Sequence, residues 1–267
     1  MGESGDSSPF ASTEAYYADY RPGYGEEALG YLVDRFALDA SARVLDLGCG
    51  AGQIALRIAP VVGEVVGMDP NEAMLRAARR RADGAGVENV AWVHGSDADL
   101  DEELGRFRLA TMGRSFHWMD QRPTLDRLHG LLDPGGGVAI VTDREWLVRG
   151  DEAWTEAVYA LADEYLADLP ERVGPDEVDY DDPWDELLVE RGYVDVETAT
   201  FHLRREWSVD EVVGYVFSLS YCSPETFGPE KEAFEDDLRS LLRERGGGPF
   251  EQNAVVEVVS GREPADE

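Results

Sequence analysis

The run Val44-Leu45-Asp46-Leu47-Gly48-Cys49-Gly50-Ala51-Gly52 constrains this chain more than any other segment. A short apolar stretch that stops at glycine is the pattern of a buried strand. The residues after it, GAGQIALRIAP, read as a helix. Glycines at 48, 50 and 52 let the backbone turn sharply and approach a ligand with no Cβ in the way. In an open parallel sheet, ligands bind beyond the carboxyl ends of the strands, where such a turn lies. The glycine spacing is not the G-x-G-x-x-G of a pyrophosphate-binding turn, and the loop holds no Lys or Arg to meet phosphate. Asp46 precedes the loop. A carboxylate there repels phosphate and suits a cation such as an amino acid's ammonium group.

A second acid, Asp69, closes the next apolar run in Gly67-Met68-Asp69-Pro70-Asn71. An acid about 20 residues beyond the glycines can hold a ribose, because two acceptor oxygens match a vicinal diol. Ribose with an ammonium-bearing arm and no phosphate describes S-adenosylmethionine better than NAD.

The rest of the chain supplies the sheet. Strands are expected at VVGEVVGMD, VAWVHG, FRLATMG and GGVAIVTD, alternating with helices at NEAMLRAARRRADGAG and QRPTLDRLHGLLDPGG. Strands alternating with helices predict a doubly wound α/β sheet of Rossmann-like type. Residues 1–12 are rich in Gly, Ser and acids and are expected to be a disordered tail. Residues 14–37 predict two helical pieces interrupted at Arg21-Pro22-Gly23. Helices are also expected at WTEAVYALADEYLADL, SVDEVVGYVFSLSY and PEKEAFEDDLRSLLRER. Late strands are expected at VDVETATFHLRREW and AVVEVVSGR. Residues 13–267 read as a single domain, with 13–40 as N-terminal helices, 40–143 as the cofactor-binding core, and 145–192 and 205–245 as additions capping the substrate side. Between them, 176–186 holds seven acids in eleven residues. It lacks EF-hand spacing and reads as a solvated loop, so no metal site is expected.

Charge narrows the partners. Lys+Arg 24 against Asp+Glu 56 leaves −32, and Lys231 is the sole lysine. That excess argues against nucleic acid. No run is long and apolar enough for a membrane span, and the first residues lack a signal peptide's pattern. With two cysteines, Cys49 and Cys222, no disulfide framework or four-thiolate zinc site is expected. A cytoplasmic location is expected, and a homodimer is compatible with the sequence. Abundant carboxylates with almost no lysine point to a halophile-like cytoplasm, because molar salt shortens charge repulsion to about 3 Å.

The segments VLDLGCGAG, VVGMDPNEAML, VHGSDADL, LATMGRSFHWMD and LLDPGGGVAIV succeed one another at the spacings of class I S-adenosylmethionine-dependent methyltransferases, which this chain resembles over about 40–143. The resemblance implies a seven-stranded, mostly parallel sheet with its last strand antiparallel. It implies S-adenosylmethionine as cofactor, S-adenosylhomocysteine as product, and an enzyme that moves the methyl group by in-line displacement. YADYRPGYG resembles a segment of the small-molecule subset similar to trans-aconitate and quinone methyltransferases. On that likeness Tyr17, Tyr20, Arg21 and Tyr24 fold over the cofactor, with Arg21 on its carboxylate. Gly48, Gly50, Gly52, Asp69 and Pro70 line its site. Relatives often carry an acid for the adenine where this chain has Ser96-Asp97-Ala98. Ser96 holds the acid's place in strict register, and a one-residue slip makes Asp97 the contact. Ser115 belongs to the same site.

At the reacting end, His117 is the candidate general base, with a structural histidine as the alternative. Phe116 and Trp118 either wall an apolar pocket or pack. The row Arg114-Ser115-Phe116-His117 replaces the N/D-P-P-Y/F/W of enzymes that methylate nucleic-acid amino groups, so a small-molecule acceptor is expected. Trp146, Trp154, Trp184, Tyr215, Phe217 and Tyr221 would give the capping segments an apolar surface for it. Two alternatives stay open: a non-catalytic cofactor-binding or protein-interaction module, and an NAD-type oxidoreductase. The charge pattern predicts a melting temperature that rises from dilute buffer to molar KCl. An unchanged value would refute the salt-adapted reading.

Overall fold

The five apolar runs pair in parallel as β1 (Arg43–Leu47), β2 (Glu64–Asp69), β3 (Val90–His94), β4 (Phe107–Gly113) and β5 (Leu132–Asp143). Two late strands complete the sheet, β6 (Val194–Trp207) and β7 (Phe250–Arg262). The order is β3-β2-β1-β4-β5-β7-β6, and β7 runs antiparallel to β5. This is the seven-stranded Rossmann-like sheet expected from the sequence. Strand order reverses between β1 and β4, which leaves a crevice at their carboxyl ends. The computed structural model describes residues 13–173 and 183–265. The expected tail at 1–12 and residues 176–182 of the acidic run lie outside the described residues.

The helices are α1 (Glu14–Tyr20), α2 (Glu26–Arg35), α3 (Ala55–Ile58), α4 (Glu72–Ala85), α5 (Gln121–His129), α6 (Trp146–Arg149), α7 (Ala153–Tyr165), α8 (Trp184–Glu190), α9 (Val209–Phe217), α10 (Pro224–Phe227) and α11 (Lys231–Glu244). The break after α1 has a local cause. Pro22 pushes Arg21 out of the helical region, to φ −69° and ψ 122°. α4 begins where the Asn71 side chain accepts from the amides of Ala73 and Met74, and it ends at left-handed Gly86. The helix expected from Gly50 shrinks to the four residues of α3, because the glycine turn occupies the residues before it.

The chain divides into two compact units. One comprises Pro22–Asp143, Asp179–His202 and Val255–Glu267. Its core packs Leu45, Leu47, Met68, Met112 and Ile140 of the sheet with Leu125 and Leu128 of α5 and Trp184 and Leu188 of α8. The other comprises Met1–Arg21, Arg144–Val178 and Leu203–Ala254, and its own core includes Trp146, Val158, Trp207, Tyr215, Phe217, Phe234 and Leu238.

The expected capping additions therefore part company. Trp184, Leu187 and Leu188 lie on one helical face, so α8 begins where a loop was expected and buries that face in the sheet's unit. Phe116 meets Trp184 edge-on at 5.8 Å between ring centroids. Trp146, Trp154, Tyr215 and Phe217 were expected to line an acceptor's pocket. They are core instead: Trp146 stacks on Tyr215 at 4.7 Å and tilts against Trp154 at 4.7 Å.

Gly67 of β2 lies opposite Trp92 of β3. A Cβ at Gly67 would lie 2.6 Å from the indole Cζ3. Gly67→Ala is predicted to cost about 1–3 kcal/mol by overpacking. Urea unfolding should show that loss, and Trp92→Leu in the same chain should recover part of it. An additive pair of effects would refute the assigned clash.

Candidate functional site

The site is built on the turn after β1. Gly48, Gly50 and Gly52 have φ of +69°, +54° and +79°, a region that disfavours any side chain. The amides of Gly48 and Cys49 both donate to the Met68 carbonyl, at 2.8 and 3.0 Å. The Gly50 amide donates to Asp69 Oδ2 at 2.8 Å. The Gly52 amide turns back to the Cys49 carbonyl at 2.9 Å. Ser115 closes over Gly48: its Oγ donates to the Leu47 carbonyl at 2.8 Å and lies 2.8 Å from where a Gly48 Cβ would be. The end of β2 thus shapes a turn that belongs to β1.

Asp69 stands at the carboxyl end of β2, as the sequence predicted, and is 8% exposed. Each oxygen already accepts one backbone amide, Oδ2 from Gly50 and Oδ1 from Asn71 at 2.8 Å. A carboxylate has about four lone-pair sites, so capacity for a diol remains. Burial raises its pKa, opposed by the two amides.

Asp46 lies on β1. It is 1% exposed, and its oxygens accept from Thr111 Oγ1 at 2.9 Å and the Ala55 amide at 3.0 Å. It braces the start of α3 and the middle of β4, and is more deeply buried than Asp69. Burial pushes its pKa up to about 7 against those hydrogen bonds. Burial also pushes the Cys49 thiol well above its ordinary value, consistent with a packing role.

Asp97–Asp99 form a single 3₁₀ turn. Ser96 caps it: its Oγ accepts from the Ala98 amide at 3.2 Å, and its own amide donates to Asp99 Oδ2 at 2.8 Å. Asp97 Oδ2 accepts from the Asp120 amide at 3.2 Å and from Thr124 Oγ1 at 3.1 Å. The carboxylate expected at the adenine is therefore engaged with the first turn of α5. The Pro70 carbonyl meets His94 Nε2 at 3.0 Å.

Past β4, Phe116, His117 and Trp118 form another 3₁₀ turn. His117 is exposed, Trp118 is 56% exposed, and their ring centroids lie 5.1 Å apart. Phe116 is fully buried and packs in the core, the second of the two roles expected for it. Tyr24, expected over the cofactor, is core as well. It is buried, with its hydroxyl 2.7 Å from where a Gly113 Cβ would be.

Tyr17, Tyr20 and Arg21 belong to the other unit. There Arg21 Nη2 pairs with Glu145 Oε1 at 2.8 Å, and its guanidinium lies 5.4 Å from the Tyr17 ring and 5.2 Å from the Tyr215 ring. Tyr221 donates to the other Glu145 oxygen at 2.8 Å, and Tyr20 packs on Gly214. The cation expected for a ligand's carboxylate is thus paired within the protein.

Two features escaped sequence reasoning. Gln53, next after the glycines, is 7% exposed, and its Nε2 is buried with no hydrogen-bond partner among the described residues. Its one sequence signal is a polar residue heading an apolar helix. Arg114 adopts φ +53° at the end of β4. It pairs with buried Asp143 at 3.0 Å, donates to the Pro22 carbonyl at 3.0 Å and covers the Tyr24 ring at 4.7 Å. Nothing in local sequence announces that pairing, because it joins two strand ends.

A nucleoside bearing an amino-acid arm fits these residues. Asp69 offers acceptors to a diol, the glycine turn leaves its backbone uncovered by side chains of its own, and the orphaned Gln53 amide is a donor in need of an acceptor. Among the described residues no cluster of His, Cys, Asp and Glu can hold a metal ion, and no helix is long and apolar enough to cross a membrane.

The fold is that of class I methyltransferases, and comparison with known proteins finds methyltransferases. Residues 44–136 match the family model described as a methyltransferase domain. An uncharacterized methyltransferase-like protein of Schizosaccharomyces pombe is 26% identical over 247 residues, 91% of this chain and 89% of that protein. The 2-phytyl-1,4-naphtoquinone methyltransferase of Nostoc sp. is 36% identical over 102 residues, 36% of this chain and 44% of that enzyme. Haemonchus contortus phosphoethanolamine N-methyltransferase 2, solved in complex with S-adenosyl-L-methionine, superposes with a TM-score of 0.52 at 17% identity, over 96% of this chain and 56% of that one. The chain has the class I methyltransferase fold, and its residues 44–136 are similar to a methyltransferase domain.

Asp46 yields a pH prediction. Its folded pKa is raised, so the folded state binds the proton more tightly than the unfolded state. Its contribution to stability is then most favourable below the unfolded value and declines from about pH 4 to about pH 7. Stability of the wild type minus that of Asp46→Asn, from chemical denaturation, should fall over that window by at most a few kcal/mol and level off above it. A difference independent of pH would refute the assignment.

Proposed function

We propose that this protein uses S-adenosylmethionine to methylate a small-molecule acceptor. One observation carries the reading. The acid at the end of β2 meets a glycine turn that contains no cation, a pairing suited to a ribose and unsuited to a pyrophosphate. Asp69 would hold the ribose hydroxyls, and the glycine turn with Gln53 would hold the amino-acid arm. The cofactor, when bound, supplies a methyl group on a sulfonium, already a good leaving group. The protein's task is then mainly positioning and exclusion of water.

His117 would accept a proton where the acceptor atom carries one, and Trp118 offers it a flat apolar face. A small acceptor is favoured by the acidic charge and by the Arg-Ser-Phe-His row after β4. The naphthoquinone and phosphoethanolamine named for two of the similar proteins are small molecules too.

Calorimetric titration with S-adenosylhomocysteine should show binding. Asp69→Ala should weaken it by about 1.5–3 kcal/mol, the range of hydrogen bonds to charged groups. His117→Ala should leave that affinity intact and reduce methyl transfer to an acceptor found in cell extract by mass spectrometry with deuterium-labelled methyl donor. Unaltered binding by Asp69→Ala would refute the ribose assignment. Loss of binding in His117→Ala would refute the role given to the histidine.

A further inference from the structure

We infer that Arg81, on the third turn of α4, is a positioning residue that fixes the conformation of the glycine turn. Its Nη1 donates to the Ala51 carbonyl at 2.7 Å, across 30 positions of sequence. The other half of that peptide group, the Gly52 amide, is held by the Cys49 carbonyl at 2.9 Å. The Ala51–Gly52 peptide plane is therefore gripped at both ends.

The grip matters because the residue after Ala51 is glycine. Rotating a peptide plane changes ψ of the residue before it and φ of the residue after it. At most positions a side chain resists the new φ. Gly52 does not, because glycine adopts either sign of φ with similar ease. At φ +79° its conformation is set by its neighbours, not by itself.

The other residues of the turn are held from close by. The Met68 carbonyl takes the amides of Gly48 and Cys49, and Asp69 takes that of Gly50. Trp92 packs against Gly52, with Cη2 2.8 Å from where a Cβ would be. The Ala51 carbonyl depends instead on a long side chain reaching in from another helix. A flipped carbonyl would also turn the Ala51 oxygen toward the Cys49 carbonyl that now accepts from the Gly52 amide, costing that hydrogen bond.

Arg81 itself is exposed, so its replacement spares the core. The neighbouring arginines of the Arg79-Arg80-Arg81 run differ in what they touch, since Arg79 pairs with Glu72 on its own helix at 2.8 Å.

The consequence for ligand affinity rests on the methyltransferase reading, whereas the consequence for the turn does not. Hydrogen–deuterium exchange should therefore be compared in the peptide covering 46–56 for the wild type, Arg81→Gln and Arg81→Lys, without ligand. Arg81→Gln should exchange faster there, with an unchanged melting temperature, and Arg81→Lys, which keeps a charged donor, should lie between. S-adenosylhomocysteine should bind Arg81→Gln about three- to tenfold more weakly, the effect of losing one typical hydrogen bond in water. Equal exchange in wild type and Arg81→Gln would overturn the inference, and so would equal affinity. A wild type that fails to bind S-adenosylhomocysteine at millimolar concentration would instead overturn the proposed function, leaving the exchange comparison to decide the role of Arg81.

Discussion

The hydrogen bond from the Gly50 amide to the Asp69 carboxylate ties together what would otherwise be two independent strand ends. A turn with three residues at positive φ has little intrinsic preference for one shape, because glycine loses a large conformational entropy in adopting it. Its shape is imposed from β2, by the Met68 carbonyl and by Asp69, while Asn71 lends a second amide to the same carboxylate. One acid thereby orders the loop and stays at the carboxyl end of β2 with acceptor capacity left over. Its partial burial raises its pKa and makes it a stronger acceptor, and the amides it holds keep that cost in check.

Asp46 performs the complementary task beneath the loop. Buried, it joins β1 to β4 through Thr111 and to the first turn of α3 through Ala55. A carboxylate in that place costs stability relative to an apolar residue, by desolvation. It is also well suited to the N-terminus of a helix, where a negative charge meets unpaired amides. The two acids of the site thus have different jobs: one supports α3 and β4 from inside, and the other holds the glycine turn at the carboxyl end of β2.

Much of this was legible in the residues. Strand and helix positions came from apolar periodicity, the glycine turn from its spacing, and Asp69 from its distance beyond that turn. Several side chains suited to a ligand serve the core instead. Phe116, Tyr24 and the aromatic residues of the 145–192 and 205–245 segments had the chemistry of a pocket and were used as core. An aromatic ring has the same appearance in sequence whether it faces a substrate or a neighbouring helix. Arg21 and Asp97 illustrate the same point for charge. Both met partners in the protein, Glu145 and the start of α5, that lie far from them in sequence.

The sequence alone determined the order of strands and helices, the place of the turn and the two acids that flank it, because these depend on local pattern and on spacing along one βαβ unit. Tertiary structure decided what each acid holds, which aromatics are buried, and how Arg81 and Arg114 reach across to backbone carbonyls. Those outcomes depend on distances between elements remote in the chain. A side chain's partner is chosen by that geometry, and residue type limits the choice without making it.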